Sequence, residues 1–155
     1  MATQPDNPGV RVPPPLLYAL AVLLGFLLDR QWPLPIGANQ VRTIAAWMFV
    51  IGWAALALPA IGGFRRQKTS MIPVRPANAL VLSGPYKLTR NPMYVGLALL
   101  TVGLGLFLAT WWPIVLLLPA LAVVQQFVIL PEERYLQRRF GAEYEAYARR
   151  VRRWL

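Results

Sequence analysis

The sequence predicts an all-α, polytopic membrane protein, a helical bundle of about four transmembrane helices plus a C-terminal basic amphipathic helix. Composition is the first reason, because 57% of the 155 residues are apolar and only 14% are charged, whereas soluble domains carry roughly 25% charged residues. Lipid must therefore cover much of the surface. The second reason is that the apolar residues form long uncharged runs of the length that a bilayer crossing requires. A chain of this length is most simply a single domain, residues 1–155.

The first two predicted spans are residues 12–28 and 43–64. The first is uncharged but opens with three prolines, so its good helical part begins at Leu16. The second is an uncharged run of 22 residues, close to the ~20 needed to cross a bilayer. No basic segment with a cleavage site precedes the first span, so we expect no removable signal peptide.

The last two spans are predicted to form a helical hairpin. From Asn91 to Pro131 no charged residue occurs for 41 residues, about twice the length of one crossing. Trp111, Trp112 and Pro113 stand in the middle of this run and combine interfacial aromatic rings with a helix breaker. The prediction is a tight turn between spans at residues 92–110 and 112–130.

The distribution of positive charge predicts the orientation. With both ends inside, fourteen of the sixteen basic residues lie on one side of the membrane, and only Arg30 and Arg42 lie on the other. We therefore expect a multi-pass protein of the cell (inner) membrane with both termini and the loop 65–91 in the cytoplasm. The net charge of +10 lies in blocks between apolar runs, which favours contact with anionic lipid headgroups over nucleic acid.

Residues 131–154 are predicted to form one basic amphipathic helix. Pro131 stands in its first turn, where proline is tolerated. One face is apolar at steps of three and four residues, and the other faces carry arginines. That apolar face comprises Leu136, Phe140, Tyr144, Tyr147, Val151 and Trp154.

The chain contains no cysteine and no histidine. This excludes disulfides, thiolate nucleophiles, imidazole bases and the usual zinc sites, so no metal site is expected. Any chemistry must use carboxylates, tyrosines, amides, arginines, backbone groups and a cofactor.

The segment from Ala77 to Gly96 has the highest density of functional side chains. Ser83–Tyr86 is a turn signal, and Arg90–Tyr94 reads as the start of a span. One interpretation is a connecting loop with arginines at headgroup level and Tyr94 in an aromatic belt. The other is a binding site, because backbone donors at a helix N-terminus can hold an anionic group such as a carboxylate.

Glu132 and Glu133 are the first charges after the 41-residue uncharged run. They can serve as first-turn acids of the tail helix, favoured by the helix dipole. Two adjacent acids on a surface otherwise rich in arginine also suit a binding pair, since a carboxylate accepts ribose hydroxyls or an amino group. Gln125 and Gln126, inside an apolar span, either line a cavity or bond between helices.

Taken together, these motifs closely resemble the isoprenylcysteine carboxyl methyltransferase family, whose relatives include the phospholipid N-methyltransferases. The matching elements are Ser83–Tyr86, Arg90–Gly96, the uncharged hairpin, Glu132–Glu133 and the tail from Phe140 to Trp154. The resemblance covers residues 71–154, and its order and spacing make it specific.

The resemblance implies the cofactor S-adenosylmethionine, held in a cytoplasm-facing pocket beside the last two spans. It assigns no catalytic base; Arg90 and Glu133, which aligns beside the cofactor-binding acid, are the catalytic candidates. Position by position, the implied cofactor-binding residues are Asn78, Ala79, Leu80, Val81, Tyr86, Asn91, Pro92, Met93, Tyr94 and Glu132.

Two positions depart from the family pattern. The family usually has histidine where this chain has Asn91, and asparagine can hydrogen bond but cannot titrate. Members that modify prenylcysteine place a substrate-binding arginine one helical turn before the acidic pair, where this chain has Val128. A prenylcysteine carboxylate would lack its expected partner here.

The function implied is methyl transfer from S-adenosylmethionine to a lipophilic acceptor. An isoprenylcysteine-type carboxylate, a lipid amine and a small apolar molecule all remain open as acceptors, and the sequence gives no oligomeric state. The alternatives are a non-catalytic membrane protein that binds anionic lipid or a partner through its basic tail, and a reductase with a nicotinamide cofactor.

Overall fold

A computed structural model describes residues 9–10, 13–67 and 79–155, and within these ranges every regular element is helical, which confirms the predicted all-α fold. A 3₁₀ turn at Gly84–Lys87 precedes the third helix, and a π segment at Gln125–Ile129 follows the fourth. The helices are α1 (Pro14–Gln31), α2 (Gln40–Arg66), α3 (Pro92–Phe107), α4 (Trp112–Val124), α5 (Leu130–Phe140) and α6 (Ala142–Arg150).

The helices pack around α3. The most extensive contacts run between α2 and α3 and between α1 and α4, and α3 also touches α1 and α4. Small residues permit close approach, as in membrane helix pairs: a Cβ at Gly25 of α1 would stand 2.7 Å from the backbone nitrogen of Pro113 at the start of α4. A buried apolar cluster in the core includes Tyr18, Val124 and Ile129.

The outer faces of the helices are strongly apolar. Two helices of the described ranges are long and apolar enough to cross a bilayer, namely α2 and the continuous helix Trp112–Phe140, and α3 is a shorter apolar helix. Large side chains point outward from them, which suits a surface covered by lipid. Prominent examples are Val41, Met48, Ile51, Leu58, Leu118 and Phe127.

At one end of the bundle, the α1–α2 connection is bonded to the turn between α3 and α4. The Asp29 carboxylate accepts hydrogen bonds from the Thr110 hydroxyl (2.6 Å) and the Leu34 N–H (3.0 Å). The Trp112 indole N–H donates to the Trp32 carbonyl at 2.7 Å. These contacts fix the hairpin turn at residues 108–111 against α1 and leave the opposite end for the loop that precedes α3.

The prediction of one tail helix over residues 131–154 was wrong. The helix breaks at Gly141, whose φ of +51° and ψ of −122° suit glycine and not residues with a Cβ. Residues after Arg150 leave the helical conformation, beginning with Val151 at φ −119° and ψ 131°. The periodic pattern is correct about burial, since Tyr144 and Tyr147 are both buried.

Pro131 also acts differently from a helix start. α4, the π segment and α5 form one continuous helix, Trp112–Phe140. Pro131 lacks an N–H, and its ring crowds the carbonyl of the preceding turn. The π segment lies in that turn, where a wider helix relieves the crowding.

Candidate functional site

The loop before α3 ends at a proline-marked helix start. The turn predicted at Ser83–Tyr86 is confirmed as the 3₁₀ turn Gly84–Lys87, with Pro85 buried. Asn91 is the residue before α3, and Pro92 occupies its first turn, where a missing N–H costs nothing. This start places Tyr94 in the first turn of α3.

Tyr94 and Glu132 meet at the centre of the candidate site. The Tyr94 hydroxyl donates to the Glu132 carboxylate, with 2.8 Å to Oε1 and 3.0 Å to Oε2. Glu132 lies beyond Leu130, in the first turn of α5. Desolvation raises the pKa of Glu132, and the neighbouring Glu133 charge raises it further, while the Tyr94 hydrogen bond lowers it. The site therefore contains a carboxyl group largely withdrawn from water.

Tyr86 lies within electrostatic range of the Glu132 carboxylate. Burial raises the pKa of Tyr86, and the Glu132 charge raises it further. Its backbone carbonyl accepts a hydrogen bond from the Tyr147 hydroxyl at 2.8 Å, and its ring meets the Phe64 ring edge-on at 5.8 Å. Tyr86 is thus fixed from the end of α2 and from α6.

Glu133 has a different environment from Glu132. Arg153 donates to it from Nε (3.0 Å to Oε1) and Nη2 (2.8 Å to Oε2), and Arg90 Nη1 lies 3.0 Å from Oε1. The hydrogen bond to Glu133 raises the pKa of Arg153. The two catalytic candidates, Arg90 and Glu133, are therefore ion-paired to each other, and Arg153 of the tail completes the cluster.

Asn91 contacts the tail. Its side-chain amide donates to the Arg153 carbonyl at 2.9 Å, and the Thr89 hydroxyl donates to the same oxygen at 3.1 Å. Residues 151–154, named here the closing segment, therefore lie over the loop end. The Trp154 indole N–H also bonds the Gln125 amide oxygen at 2.8 Å.

The other predicted site residues are spread around this centre. Val81 is buried, and a Cβ at Gly63 of α2 would stand 3.0 Å from it. Pro92 is buried, whereas Met93, Ala79 and Leu80 are half-buried. Asn78 lies outside the described residues. The structure brings together Tyr86, Tyr94 and Glu132, and the Asn91 amide donates to the tail.

Several structural residues of the site were missed from the sequence. Tyr18 of α1 donates to the Tyr94 backbone carbonyl at 3.2 Å and is 3% exposed. Thr89, Tyr147 and Arg153 hold the loop and the acidic pair from outside. A tyrosine inside a span that opens with prolines was the available signal for Tyr18; nothing in the local pattern distinguished Arg153 from the other tail arginines.

An open, largely apolar groove of about 580 Å³ lies between the beginning of the described chain and the π segment. None of Tyr86, Tyr94 and Glu132 lines it, so it is a feature separate from the candidate site. Its lining includes Leu17, Val123, Gln126, Phe127, Val128 and Arg134.

Comparison with known proteins gives a family and several relatives. A 108-residue match covers 70% of this chain and 49% of the cobalt-zinc-cadmium resistance protein CzcN of Cupriavidus metallidurans, at 34% identity. The nickel-cobalt-cadmium resistance protein NccN of Alcaligenes xylosoxydans xylosoxydans matches over the same shares at 32%. An uncharacterized protein of Haemophilus influenzae is 38% identical over 66 residues, which are its entire length and 41% of this chain.

The chain thus spans about half the length of CzcN and of NccN. No solved structure matches it. The phospholipid methyltransferase family model matches residues 41–143, which include α2, the loop, α3 and the acidic pair on α5. The chain therefore belongs to the phospholipid methyltransferase family, in the group of membrane methyltransferases that includes the isoprenylcysteine type.

Proposed function

We propose that this protein is an integral membrane methyltransferase that uses S-adenosylmethionine to methylate a lipophilic acceptor. The observation that carries the proposal is the Tyr94–Glu132 pair beside Tyr86, formed by two distant parts of a chain of this family. We further propose a single domain with four spans, and with both ends and the site on the cytoplasmic side, because most of the positive charge lies there.

The residues fit the cofactor. Tyr94 donates to the Glu132 carboxylate, whose two oxygens offer about four acceptor positions. A desolvated carboxylate with spare acceptor positions suits ribose hydroxyls or an amino group. We propose that Glu132, Tyr86 and Tyr94 hold the cofactor from one side. The remaining proposed contacts are Asn78, Ala79, Leu80, Val81, Pro92 and Met93.

When bound, S-adenosylmethionine supplies a methyl group on a sulfonium centre. The protein's task is then alignment and exclusion of water. Tyr94 orients Glu132, and the Phe64, Tyr86 and Tyr147 side chains close the site toward the end of α2 and α6. Arg90 and Glu133 hold one another and the closing segment, so we assign them positioning roles in place of catalytic ones.

The charges around the site favour a neutral or amine-bearing acceptor over a carboxylate. Val128 is 1% exposed in the apolar core, so no cation stands one turn before the acidic pair. Arg90 and Arg153 are both paired with Glu133. An unpaired carboxylate in the apolar layer would be costly. A lipid amine that has lost its proton to water at headgroup level is neutral, carries the lone pair that accepts the methyl group, and avoids that cost.

Metal resistance, which appears in the names of CzcN and NccN, is not part of the proposal. Those proteins are about twice the length of the matching region. The present chain has no cysteine and no histidine, the side chains that bind transition metals most readily.

The first test is calorimetric binding of S-adenosylmethionine and S-adenosylhomocysteine to the detergent-purified protein. We expect micromolar binding by the wild type, loss of binding in Glu132→Ala and Tyr86→Ala, and unchanged binding in Glu143→Ala, an exposed acid on α6. A well-folded wild type that binds neither compound would overturn the proposal. It would leave a lipid- or partner-binding membrane protein as the better account.

The second test concerns the acceptor. Transfer of a radiolabelled methyl group is measured in vesicles that contain either an amine phospholipid or a prenylcysteine with a free carboxylate. We expect labelling of the amine lipid. Labelling of the prenylcysteine alone would contradict the acceptor class while leaving the cofactor proposal intact.

A further inference from the structure

The closing segment, residues 151–154, runs beside the loop end in an extended conformation. After α6 the chain turns to φ −119° and ψ 131° at Val151. The Arg152 carbonyl then accepts a hydrogen bond from the Arg90 N–H at 2.9 Å. This backbone bond joins residues 62 positions apart and sets the segment alongside the residues that lead into α3.

One carbonyl of the closing segment receives two side chains from the loop. The Arg153 oxygen accepts from the Asn91 amide and from the Thr89 hydroxyl. Both donors are buried, with Thr89 fully inaccessible. Since a buried polar group left without a partner is costly, these two side chains require the closing segment in this place.

The side chains of the closing segment reach two further elements. Arg153 forms its ion pair with Glu133, the residue after Glu132 on α5. Trp154 packs against the buried cluster that includes Val124 and Val128, and its indole N–H bonds Gln125 in the π segment. The segment therefore connects the beginning of α3, which carries Tyr94, to the π segment and α5, which carry Glu132.

The geometry points to the closing segment as a positioning element of the site, which holds α3 and α5 at the spacing at which Tyr94 reaches Glu132. Asn91, Gln125 and Trp154 are then positioning residues that act through this segment, to which the Asn91 side-chain nitrogen donates. The inference rests on the proposed function, because it states how the cofactor site is kept assembled.

The π segment and its bond to Trp154 favour a role for the closing segment at the site beyond general stability. The π segment is a local departure from regular helix, and such segments are frequent at functional sites. Gln125 is a polar side chain in an apolar helix, and its amide oxygen is satisfied by Trp154. Loss of that bond would free the π segment next to α5 and change the spacing that brings Glu132 to Tyr94.

The test uses full-length variants in detergent with two readouts, affinity for S-adenosylhomocysteine and amide hydrogen exchange of residues 89–95. Trp154→Phe removes the indole donor and keeps an aromatic ring, Gln125→Leu removes its acceptor, and Asn91→Ala removes the amide. Arg152→Ala is the matched control, because its side chain is exposed and its contribution is a backbone carbonyl.

We expect each of the three variants to weaken S-adenosylhomocysteine binding about tenfold and to accelerate exchange at residues 89–95, with Arg152→Ala unchanged. The double variant Gln125→Leu/Trp154→Phe should bind no more weakly than either single variant, because both remove the same hydrogen bond. Lower melting temperatures with wild-type affinity in all three variants would show a purely structural role and overturn the inference.

Failure of the proposed function is distinguishable from failure of this inference. If the wild type binds no cofactor analogue, the proposed function falls and the cofactor part of the inference falls with it. The exchange readout stands by itself: unchanged exchange at residues 89–95 in Asn91→Ala would overturn the connection between the closing segment and the loop, whatever the binding result.

Discussion

Glu132 and Glu133 are neighbours in the chain but have opposite electrostatic environments. Glu132 is desolvated and bonded to a neutral tyrosine hydroxyl. Glu133 is bonded to two guanidinium groups, and both it and Arg90 are about 15% exposed. Ionisation therefore costs free energy at Glu132, whereas Glu133 is held in two ion pairs. The two acids should respond differently to the same substitution.

For Glu132, we predict that removing the charge flattens the pH dependence of stability. Its pKa is raised in the folded protein above the ordinary 4.5, so the folded state binds the proton more tightly. The contribution of Glu132 to stability is fully present below pH 4.5 and is lost as the pH rises through the pKa of the folded state. Glu132→Gln should lose this dependence, and its melting temperature should exceed that of the wild type at pH 8 but not at pH 5.

This prediction is checked by tryptophan fluorescence melting in detergent without cofactor. Glu143→Gln, which removes an exposed acid, should keep the wild-type pH dependence. A Glu132→Gln profile parallel to the wild type would contradict a desolvated Glu132.

For Glu133, we predict that removing the charge lowers the stability of the protein. Glu133→Gln leaves Arg90 and Arg153 without their counter-ion in a partly buried cluster. The expected loss is about 2 kcal/mol of unfolding free energy, less than for a fully buried pair because the cluster is partly exposed. Chemical unfolding at pH 7.5 measures this loss. Stability equal to the wild type would mean that the ion pairs contribute nothing.

At the scale of elements, the packing of α1 on α4 depends on a glycine. A Cβ at Gly25 would stand 2.7–2.8 Å from the backbone nitrogen and ring of Pro113, so Gly25→Ala must push the helices apart. We expect a loss of about 1–3 kcal/mol, measured by chemical unfolding. Gly62→Ala in α2 is the control, because a Cβ there meets no atom of the described residues within 4 Å apart from its chain neighbours and its own helix backbone. Equal stability of the two variants would contradict the close approach.

In the tail, the apolar periodicity predicted which residues are buried but not where the helix ends. The apolar spacing from Leu136 to Trp154 identified Tyr144 and Tyr147 as buried. It did not reveal the break, because a helix repeat continues through any residue that preserves the spacing. The break depends on Gly141, whose positive φ is a conformation that glycine adopts without strain. Glycine between two helical runs was the signal to use.

At the scale of the whole molecule, the proposed orientation places Lys87 and Gly37 on opposite sides of the membrane. The chain has no cysteine, so single cysteines at these exposed positions can report the topology. We predict that an impermeant maleimide added to intact cells labels Gly37→Cys and leaves Lys87→Cys unlabelled until the membrane is opened. Labelling of both in intact cells would contradict the orientation, and a reversed pattern would invert it.

Some parts of the candidate site were predictable from neighbouring residues in the sequence, and others were not. The turn at Gly84–Lys87 and the start of α3 at Pro92 followed from proline and glycine chemistry alone. The two acids stood out by their setting in an apolar, arginine-rich chain, whereas the tyrosines were identified through the family resemblance. Their distances were not predictable, because Tyr94 and Glu132 are 38 residues apart and meet only when α3 packs beside the Trp112–Phe140 helix.

The sequence by itself determined the helical class, the apolar runs, the start of α3 and the kinds of side chain available for chemistry. These depend on composition and on spacing along the chain. Only the tertiary structure decided that Glu132 faces Tyr94, that Glu133 faces Arg90 and Arg153, and that Asn91 serves the tail. The physical reason is that a carboxylate's role is set by the groups that surround it in space. Those groups come from helices whose packing depends on contacts such as that between Gly25 and Pro113.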